Sequence, residues 1–138
     1  HMLEPELSKQ DPVVFTLPAN LKESDFNMGK ILEQLPDDFK MPTCFLADLD
    51  FIAIGAMMAF KKKGYSIPDD ISLIGYDDID FSAVTFPSLT TIHLHQRTLA
   101  RSAVRLLVNK ILKQPPCFSH IQVSSELVVR DSVKNLKK

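Results

Sequence analysis

The sequence predicts an α/β fold, a three-layer sandwich in which helices cover both faces of a mainly parallel sheet. Residues 43–47, 51–63 and 71–75 have the patterns of a strand, a helix and a strand, and this order implies a right-handed crossover with parallel pairing. Both strands are apolar without alternation, which is usual where helices cover a sheet on two sides. The chain has 138 residues, of which 45% are hydrophobic, so a single domain can form its core without metal or disulfide staples.

The first part of the chain carries weaker signals. Residues 1–11 are polar, contain proline and begin with what looks like a tag remnant, so we expect them to be disordered. A β-branched run predicts a strand at 13–17, and the apolar spacing predicts a helix at 25–35. We expect the folded unit to span residues 12–133 and residues 134–138 to fray.

The central helix has clear signals at both ends. Asp48 and Asp50 precede its first turn, where carboxylates stabilise the free N–H groups. Gly64 follows the helix as a residue that stops it. The lysine run at 61–63 fits the solvated end of a helix, because cations there favour the helix dipole.

The second half of the chain alternates between extended and helical patterns. An acidic loop follows the strand at 71–75, and an extended piece is predicted at 89–94. Residues 97–113 carry a wide apolar stripe and predict a long, largely buried helix that a proline pair ends. Two short strands are predicted at 121–123 and 127–129.

Composition excludes several classes of protein. The formal net charge is −1, so no basic face indicates direct binding of nucleic acid. Two cysteines are too few for a disulfide framework, and Cys44 is expected to be a small buried residue of its strand. His93 and His95 lack a supporting cluster, so we predict no metal site, and four glycines exclude a glycine-rich cofactor loop. With no membrane-spanning run and no visible signal peptide, we expect a cytoplasmic protein that uses no cofactor.

Carboxylates follow two of the predicted strands. Asp48 and Asp50 come after the strand at 43–47, and Asp77 comes after the strand at 71–75. Ligands of open α/β sheets bind at the carboxyl ends of the strands, and a carboxylate there accepts two hydroxyl hydrogen bonds, which suits a sugar. Asp77 is therefore a candidate ligand contact. Two other interpretations stay open: the carboxylates cap turns and helix starts, or two of them flank a scissile bond as in a glycosidase, although their spacing does not require that arrangement.

The central helix is apolar on almost every side. Its large apolar residues are Ile52, Ile54, Met57, Met58 and Phe60. Such a helix must be covered on more than its sheet side. Either a second subunit or another element of the same chain could supply that cover.

The chain also contains a recognisable series of motifs. They are Pro42-Thr43-Cys44, Asp50, Ala53, Gly55, Gly64, Ile67-Pro68-Asp69-Asp70-Ile71-Ser72, Gly75-Tyr76-Asp77-Asp78, Pro87-Ser88-Leu89-Thr90-Thr91 and Leu127-Val128-Val129-Arg130-Asp131-Ser132. In order and spacing they closely resemble the second lobe of the sugar sensors in the lactose/galactose repressor (LacI/GalR) family, over nearly all of residues 13–132. The resemblance implies the type I periplasmic-binding-protein-like fold, with two α/β lobes around a ligand cleft. This chain would hold the C-terminal lobe, without the family's DNA-binding headpiece and most of its first lobe.

The resemblance implies a set of ligand contacts. By position these are Asp77, Asp48, Leu49, Asp50, Leu94 and Gln96. Leu49 and Leu94 stand where the family often has Asn and Gln, so two polar contacts have become apolar. We therefore expect a ligand that is less hydroxylated than a simple hexose, or hydrogen bonding taken over by Asp48 and Gln96.

The resemblance also implies a homodimer built partly through the second lobe. Its interface residues would be Phe51, Ile54, Met57, Met58, Ile79 and Phe81. In the family the helix that matches residues 97–113 packs on the first lobe, which is mostly missing here. Exposure of its apolar side chains would cost about 1.5–3 kcal/mol each. We predict that this helix docks onto its own sheet or swaps into a second copy.

Taken together, these observations predict the effector-sensing and dimerising part of a transcriptional repressor rather than an enzyme. The effector would be a sugar or a related small molecule, and operator DNA would be reached only through the missing headpiece. In the family, effector binding changes the angle between the lobes and thereby the affinity for operator, by linkage. Two alternatives are an exported sugar-binding protein that serves a transporter and a carboxylate-dependent hydrolase.

Overall fold

A computed structural model describes residues 39–112 and 120–135. The elements in these two ranges are, in chain order, β1 (Cys44–Leu46), α1 (Asp50–Lys62), β2 (Ser72–Ile74), α2 (Asp80–Val84), β3 (Thr91–Leu94), α3 (Gln96–Ile111) and β4 (Ser125–Val128). The predicted disordered lead, the strand at 13–17 and the helix at 25–35 lie outside the described residues.

The four strands follow one another across the fold in chain order. β1 and β2 pair in parallel, and β3 and β4 pair antiparallel. Two parallel bridges, one between Ile74 and Thr90 and one between Asp77 and His93, join β2 to β3. The predicted parallel crossover from β1 through α1 to β2 is therefore confirmed, and β4 adds an antiparallel edge.

The core lies between α1 and the sheet. Its buried hydrophobic members are Ala53, Ala56, Met57, Ala59, Phe60, Ile71, Leu73 and Leu89. The Phe60 ring is fully buried, with its centroid 4.9 Å from that of Phe45 and 6.2 Å from that of Tyr65. Three alanines on the inner face of α1 let the helix approach the strands closely, so one large aromatic side chain can fill the centre.

β1 contributes one side chain to this core. Phe45 packs on Phe60, whereas Cys44 and Leu46 alternate to the other side of the strand and are exposed. The expectation that Cys44 is buried is therefore wrong. The strand is apolar on both faces, so the sequence pattern did not show that the side chains on its outer face are exposed to solvent.

The secondary structure differs from the sequence prediction in two regions, the acidic loop after β2 and residues 121–123. α2 forms within what the sequence predicts as an acidic loop, because five residues are too few to show a helical period. Of the two strands predicted near the end, 127–129 corresponds to β4, whereas 121–123 is in no strand. All four residues of β3 already pair with β4, so residues 121–123 have no strand beside them among the described residues.

α3 does not dock on the sheet. None of its residues is buried, and Leu99, Leu107 and Ile111 are between 52% and 67% exposed. The prediction that this helix covers its own sheet is wrong, because a single residue, His95, separates β3 from α3 and leaves no loop to fold the helix back. Exchange of the helix with a second copy stays a prediction.

The end of the described chain is tied to β2. The Ser132 hydroxyl donates to the Leu73 carbonyl at 2.6 Å and accepts from the Thr90 N–H at 2.8 Å. The Lys134 N–H donates to Ser72 Oγ at 3.1 Å. Lys134, which we expected to fray, is therefore anchored.

A buried carboxylate links α1 to α2 and β3. Asp50 is fully buried at the start of α1. Its Oδ1 accepts from Thr91 Oγ1 at 2.6 Å, and its Oδ2 accepts from Ser82 Oγ at 2.5 Å and from the Ile79 N–H at 3.0 Å. Its own N–H donates to the Tyr76 carbonyl at 2.9 Å. A charge can be buried here because several donors compensate the water it loses.

Gly75 lies against this carboxylate at the end of β2. A Cβ at this position would stand 2.9 Å from the Leu89 side chain and would overlap the Asp50 carboxylate. The close approach of β2 to the buried carboxylate therefore requires glycine.

We expect Asp50→Ala to destabilise the fold by about 3 kcal/mol or more, since two buried hydroxyl donors and one partly buried N–H would lose their acceptor. The matched control is Asp48→Ala, which removes an exposed carboxylate two residues earlier and should change the free energy of unfolding by less than about 0.5 kcal/mol. Urea unfolding of the two variants and the wild type measures both effects. Equal losses for the two variants would contradict the structural role of Asp50.

Candidate functional site

The carboxyl ends of β1, β2 and β3 lie along one edge of the fold. Asp48 and Leu49 follow β1, Asp77 follows β2, Leu94 ends β3 and Gln96 begins α3. Because these three strands run in the same direction, their ends meet at the same edge. The structure therefore brings together five of the six predicted ligand contacts. Such an edge is where open α/β sheets bind ligands.

The sixth predicted contact, Asp50, lies beneath this edge. It is fully buried, and its two oxygens are engaged by α2 and β3. Asp50 therefore supports the site from below and does not line it. The sequence could not separate it from Asp48, because both carboxylates precede the same helix.

Asp77 has an unusual backbone conformation. Its φ is +112°, and that of the next residue, Asp78, is +55°. Residues other than glycine rarely adopt this left-handed region of φ, and those that do concentrate at functional sites. The Asp77 N–H donates to the Ile92 carbonyl at 3.0 Å, which fixes the residue beside β3. No hydrogen bond joins its carboxylate to another group in the two described ranges, so both oxygens are available to a ligand.

The charge of Asp77 is disfavoured in this position. Burial raises the pKa of the Asp77 carboxyl above its ordinary value of 3.8, and the charges of Asp50 and Asp48 raise it further. A hydrogen-bond donor brought by a ligand would stabilise that carboxylate. The environment of Asp77 is therefore suited to a ligand with hydroxyl or N–H groups.

Asp78, the next residue, is held by two partners. Its Oδ1 lies 2.6 Å from Arg130 Nη2, and its Oδ2 lies 2.9 Å from His93 Nδ1. Burial raises the pKa of Asp78, but the hydrogen bonds and positive charges of Arg130 and His93 outweigh burial and hold the pKa below its ordinary value. Asp78 is thus a fixed ionised anchor, whereas no described residue hydrogen-bonds to the Asp77 carboxylate.

The sequence alone predicts no role for Arg130. This residue lies 52 positions from Asp78, so no local pattern connects the two side chains. The signal that could have found it is its place in the motif Leu127-Val128-Val129-Arg130-Asp131-Ser132. His93 was considered only as a metal ligand, and the structure instead pairs it with a carboxylate.

A second surface, formed by α1 and α2, is apolar and exposed. Phe51, Met58 and Phe81 are between 59% and 64% exposed. With Ile54 and Val84 they form what we call the α1–α2 surface, and part of it is a shallow apolar groove.

The α1–α2 surface contains most of the predicted dimer contacts. Phe51, Met58 and Phe81 are exposed there, and Ile54 and Ile79 are partly buried. Met57 is only 6% exposed and belongs to the core, so it is unavailable to a partner. α1, which is apolar on almost every side, thus buries Met57 and Phe60 in the core of its own chain and leaves Phe51 and Met58 exposed.

The described residues offer neither a metal-binding cluster nor a membrane-spanning helix. Within residues 39–112 and 120–135, no three His, Cys, Asp or Glu side chains are grouped so that they could hold a metal ion. Among the helices of these ranges, none has the length and apolar character needed to cross a bilayer.

We expect Asp77→Asn to stabilise the fold at pH 7, by less than about 1 kcal/mol, because solvent screens a partly exposed charge. The folded pKa of Asp77 is raised, so the wild type carries an unfavourable charge above that pKa and loses it as the pH falls. The gain should therefore shrink with falling pH and vanish below about 3.8, where Asp77 is protonated in both states. Urea unfolding at pH 7 and pH 3.5 measures this, with the exposed Asp80→Asn as control. A gain that persists at pH 3.5 would contradict the electrostatic cause.

Comparisons with known proteins identify the family. The model of the periplasmic binding protein-like domain matches residues 6–133. The HTH-type transcriptional repressor PurR of Histophilus somni (strain 129Pt) is 42% identical over 109 residues, which are 79% of this chain and 32% of the relative. The chain spans about a third of the length of the curated relatives it matches.

Solved structures agree with this result. A transcriptional regulator LacI from Bacillus cereus subsp. cytotoxis NVH 391-98 superposes with a TM-score of 0.73 at 26% identity, over 82% of this chain and 41% of that one. The lac repressor dimer bound to operator and the anti-inducer ONPF superposes with a TM-score of 0.59 at 34% identity, over 67% of this chain and 32% of that one.

The predicted fold and the predicted resemblance are both confirmed by these matches. The chain belongs to the periplasmic-binding-protein-like domain family and corresponds to part of that domain in the LacI/GalR transcriptional regulators.

Proposed function

We propose that this chain is the effector-sensing part of a transcriptional repressor and that it binds a small polar effector at the edge formed by β1, β2 and β3. The observation that carries this proposal is the Asp77 carboxylate, which lies at the end of a parallel strand with a raised pKa and no hydrogen bond from a described residue. Asp77 is the central contact. Asp48, Leu49, Leu94 and Gln96 complete the effector site around it.

The chemistry of these side chains limits the effector. One carboxylate can accept two hydrogen bonds, so the effector presents at least one edge with hydroxyl or N–H donors. Leu49 is 39% exposed, and with Leu94 it offers apolar contact beside the carboxylate. A sugar derivative or another ring compound with few hydroxyl groups fits this combination better than a fully hydroxylated hexose.

Effector binding controls DNA through linkage in this proposal. The lac repressor similar to this chain was solved as a dimer with operator and an anti-inducer bound. By analogy, the DNA-binding headpiece is a separate part of the regulator, and an effector that binds one arrangement of the lobes better than another changes operator affinity. A repressor of this kind works in the cytoplasm, where its operator lies.

Two other functions remain as competing outcomes. An exported sugar-binding protein would use the same site without a headpiece. A hydrolase would need two carboxylates across a scissile bond. Asp50 is buried and Asp78 is ion-paired, which leaves Asp48 and Asp77 for that task. We propose that the chain is not an enzyme, because the proteins it resembles are transcriptional regulators.

We expect Asp77→Asn to weaken effector binding about tenfold or more, because a hydrogen bond to a charged acceptor contributes about 1.5–3 kcal/mol. Calorimetric titration of the full chain with a panel of hexoses, disaccharides and nucleobases identifies the effector and gives both affinities. Asp80→Asn, an exposed neighbour, is the matched control and should bind like the wild type.

Tight hexose binding that Asp77→Ala leaves unchanged would defeat the assignment of Asp77. Turnover of any panel member, lost in Asp77→Asn, would favour the hydrolase instead.

We also propose that the α1–α2 surface is the contact of a homodimer. Phe51 and Phe81 line one exposed groove between two helices that the Asp50 cluster fixes together, and Met58 is exposed two turns farther along α1. Burial of such side chains against a second copy would stabilise the pair by about 1.5–3 kcal/mol for each fully buried one.

We expect Phe51→Glu to weaken self-association about tenfold or more, because a buried aromatic contact is replaced by a charge. Sedimentation velocity over a concentration series measures the change. Leu107→Glu places a charge at a similarly exposed apolar residue of α3 and tests the competing prediction that α3 is exchanged between copies; a dimer held by the α1–α2 surface should not respond to it. The opposite result, dissociation by Leu107→Glu alone, would assign the contact to α3.

A further inference from the structure

Two adjacent residues after β2 share a rare backbone conformation. The φ angles of Asp77 and Asp78 are +112° and +55°, and neither residue is glycine. Such conformations persist only where surrounding contacts determine them. The question is therefore which contacts keep this turn in place.

The strongest contacts are made by the second residue of the pair. Asp78 accepts from Arg130 Nη2 at 2.6 Å and contacts His93 Nδ1 at 2.9 Å, and the three side chains are partly buried. The Asp77 backbone is held by its bond to the Ile92 carbonyl and by a parallel bridge to His93, but no described residue holds its side chain. Among the described residues, the side-chain contacts that hold this turn are therefore those of Asp78.

Of the two partners of Asp78, Arg130 is the better anchored. Its guanidinium also donates from Nη1 to the Leu89 carbonyl at 2.7 Å. The backbone N–H of Arg130 donates to Thr90 Oγ1 at 2.9 Å. The guanidinium is always charged, and its planar fork fixes two acceptors at once. The His93 side chain is 40% exposed, against 18% for Arg130, and its charge depends on protonation.

We propose that Arg130 is a positioning residue which, acting through Asp78, holds Asp77 in the left-handed conformation that presents its carboxylate at the strand edge. The link to effector binding rests on the proposed function of Asp77. The link between Arg130 and the backbone of Asp77 does not, and it can be tested without any ligand.

The charge and the position of Arg130 act on Asp77 in opposite directions. Loss of a nearby positive charge would by itself raise the pKa of the Asp77 carboxyl. Release of the turn would move that carboxyl away from Asp50 and Asp48 into water, which would lower its pKa. The sign of the change therefore separates a positioning role from a purely electrostatic one.

The test uses NMR on the full chain without added ligand. The amide–Hα couplings of Asp77 and Asp78 report φ, and a carbon-detected pH titration gives the pKa of Asp77. In Arg130→Gln we expect the couplings to leave their positive-φ values and the pKa to fall toward 3.8. Lys134→Gln, which removes an exposed cation four residues later, is the matched control and should change neither reading.

Arg130→Lys keeps the charge but loses the fork, so both readings should lie between those of the wild type and Arg130→Gln. If Arg130→Gln does not fold in a thermal melt, the lysine variant decides by the same criterion. Unchanged Asp77 couplings in the folded variant overturn the proposal, whatever the pKa does. Changed couplings support it even if no effector is ever found to contact Asp77, so the two proposals can fail separately.

Discussion

The Asp50 carboxylate lies where α1, α2 and β3 meet. Asp50 begins α1, and its carboxylate accepts hydrogen bonds from the start of α2 and from β3. Its oxygens accept from one N–H and two hydroxyl groups, and its own N–H reaches the Tyr76 carbonyl at the end of β2. A carboxylate without such donors would not leave water, so the cluster forms as a unit or not at all. The positions of α2 and of the turn after β2 both follow from it.

Four carboxylates in this part of the chain have four different environments. Asp48 is exposed, Asp50 is buried and hydrogen-bonded, and Asp78 is ion-paired. The Asp77 carboxylate lies at the edge, with no partner in the part of the chain that the structure describes. The pKa of Asp77 is raised and that of its neighbour Asp78 is lowered, because burial is uncompensated in the first case and outweighed in the second. The environment thus gives one residue type different parts to play: Asp50 supports the fold from inside, Asp78 anchors the turn after β2, and Asp77 is the carboxylate that we propose as the ligand contact.

The order of elements was readable from the sequence because apolar runs and helix ends are local signals. The crossover from β1 to β2 and the stop at Gly64 followed from such patterns. The roles of Asp50 and Arg130 were not readable, because their partners lie 29 to 52 residues away. The exposure of Cys44 and α3 escaped prediction for a related reason: an apolar pattern shows which side chains favour burial, but not whether anything covers them.

The segment from Arg130 to Ser132 fastens to residues much earlier in the chain. The hydroxyl of Ser132 reaches Leu73 across 59 residues, and the guanidinium of Arg130 reaches Asp78 across 52. During synthesis, β2 and β3 therefore leave the ribosome before the segment that connects them. Closure of such long loops slows folding, so the turn after β2 has no side-chain support from Arg130 until residues 130–132 have been synthesised.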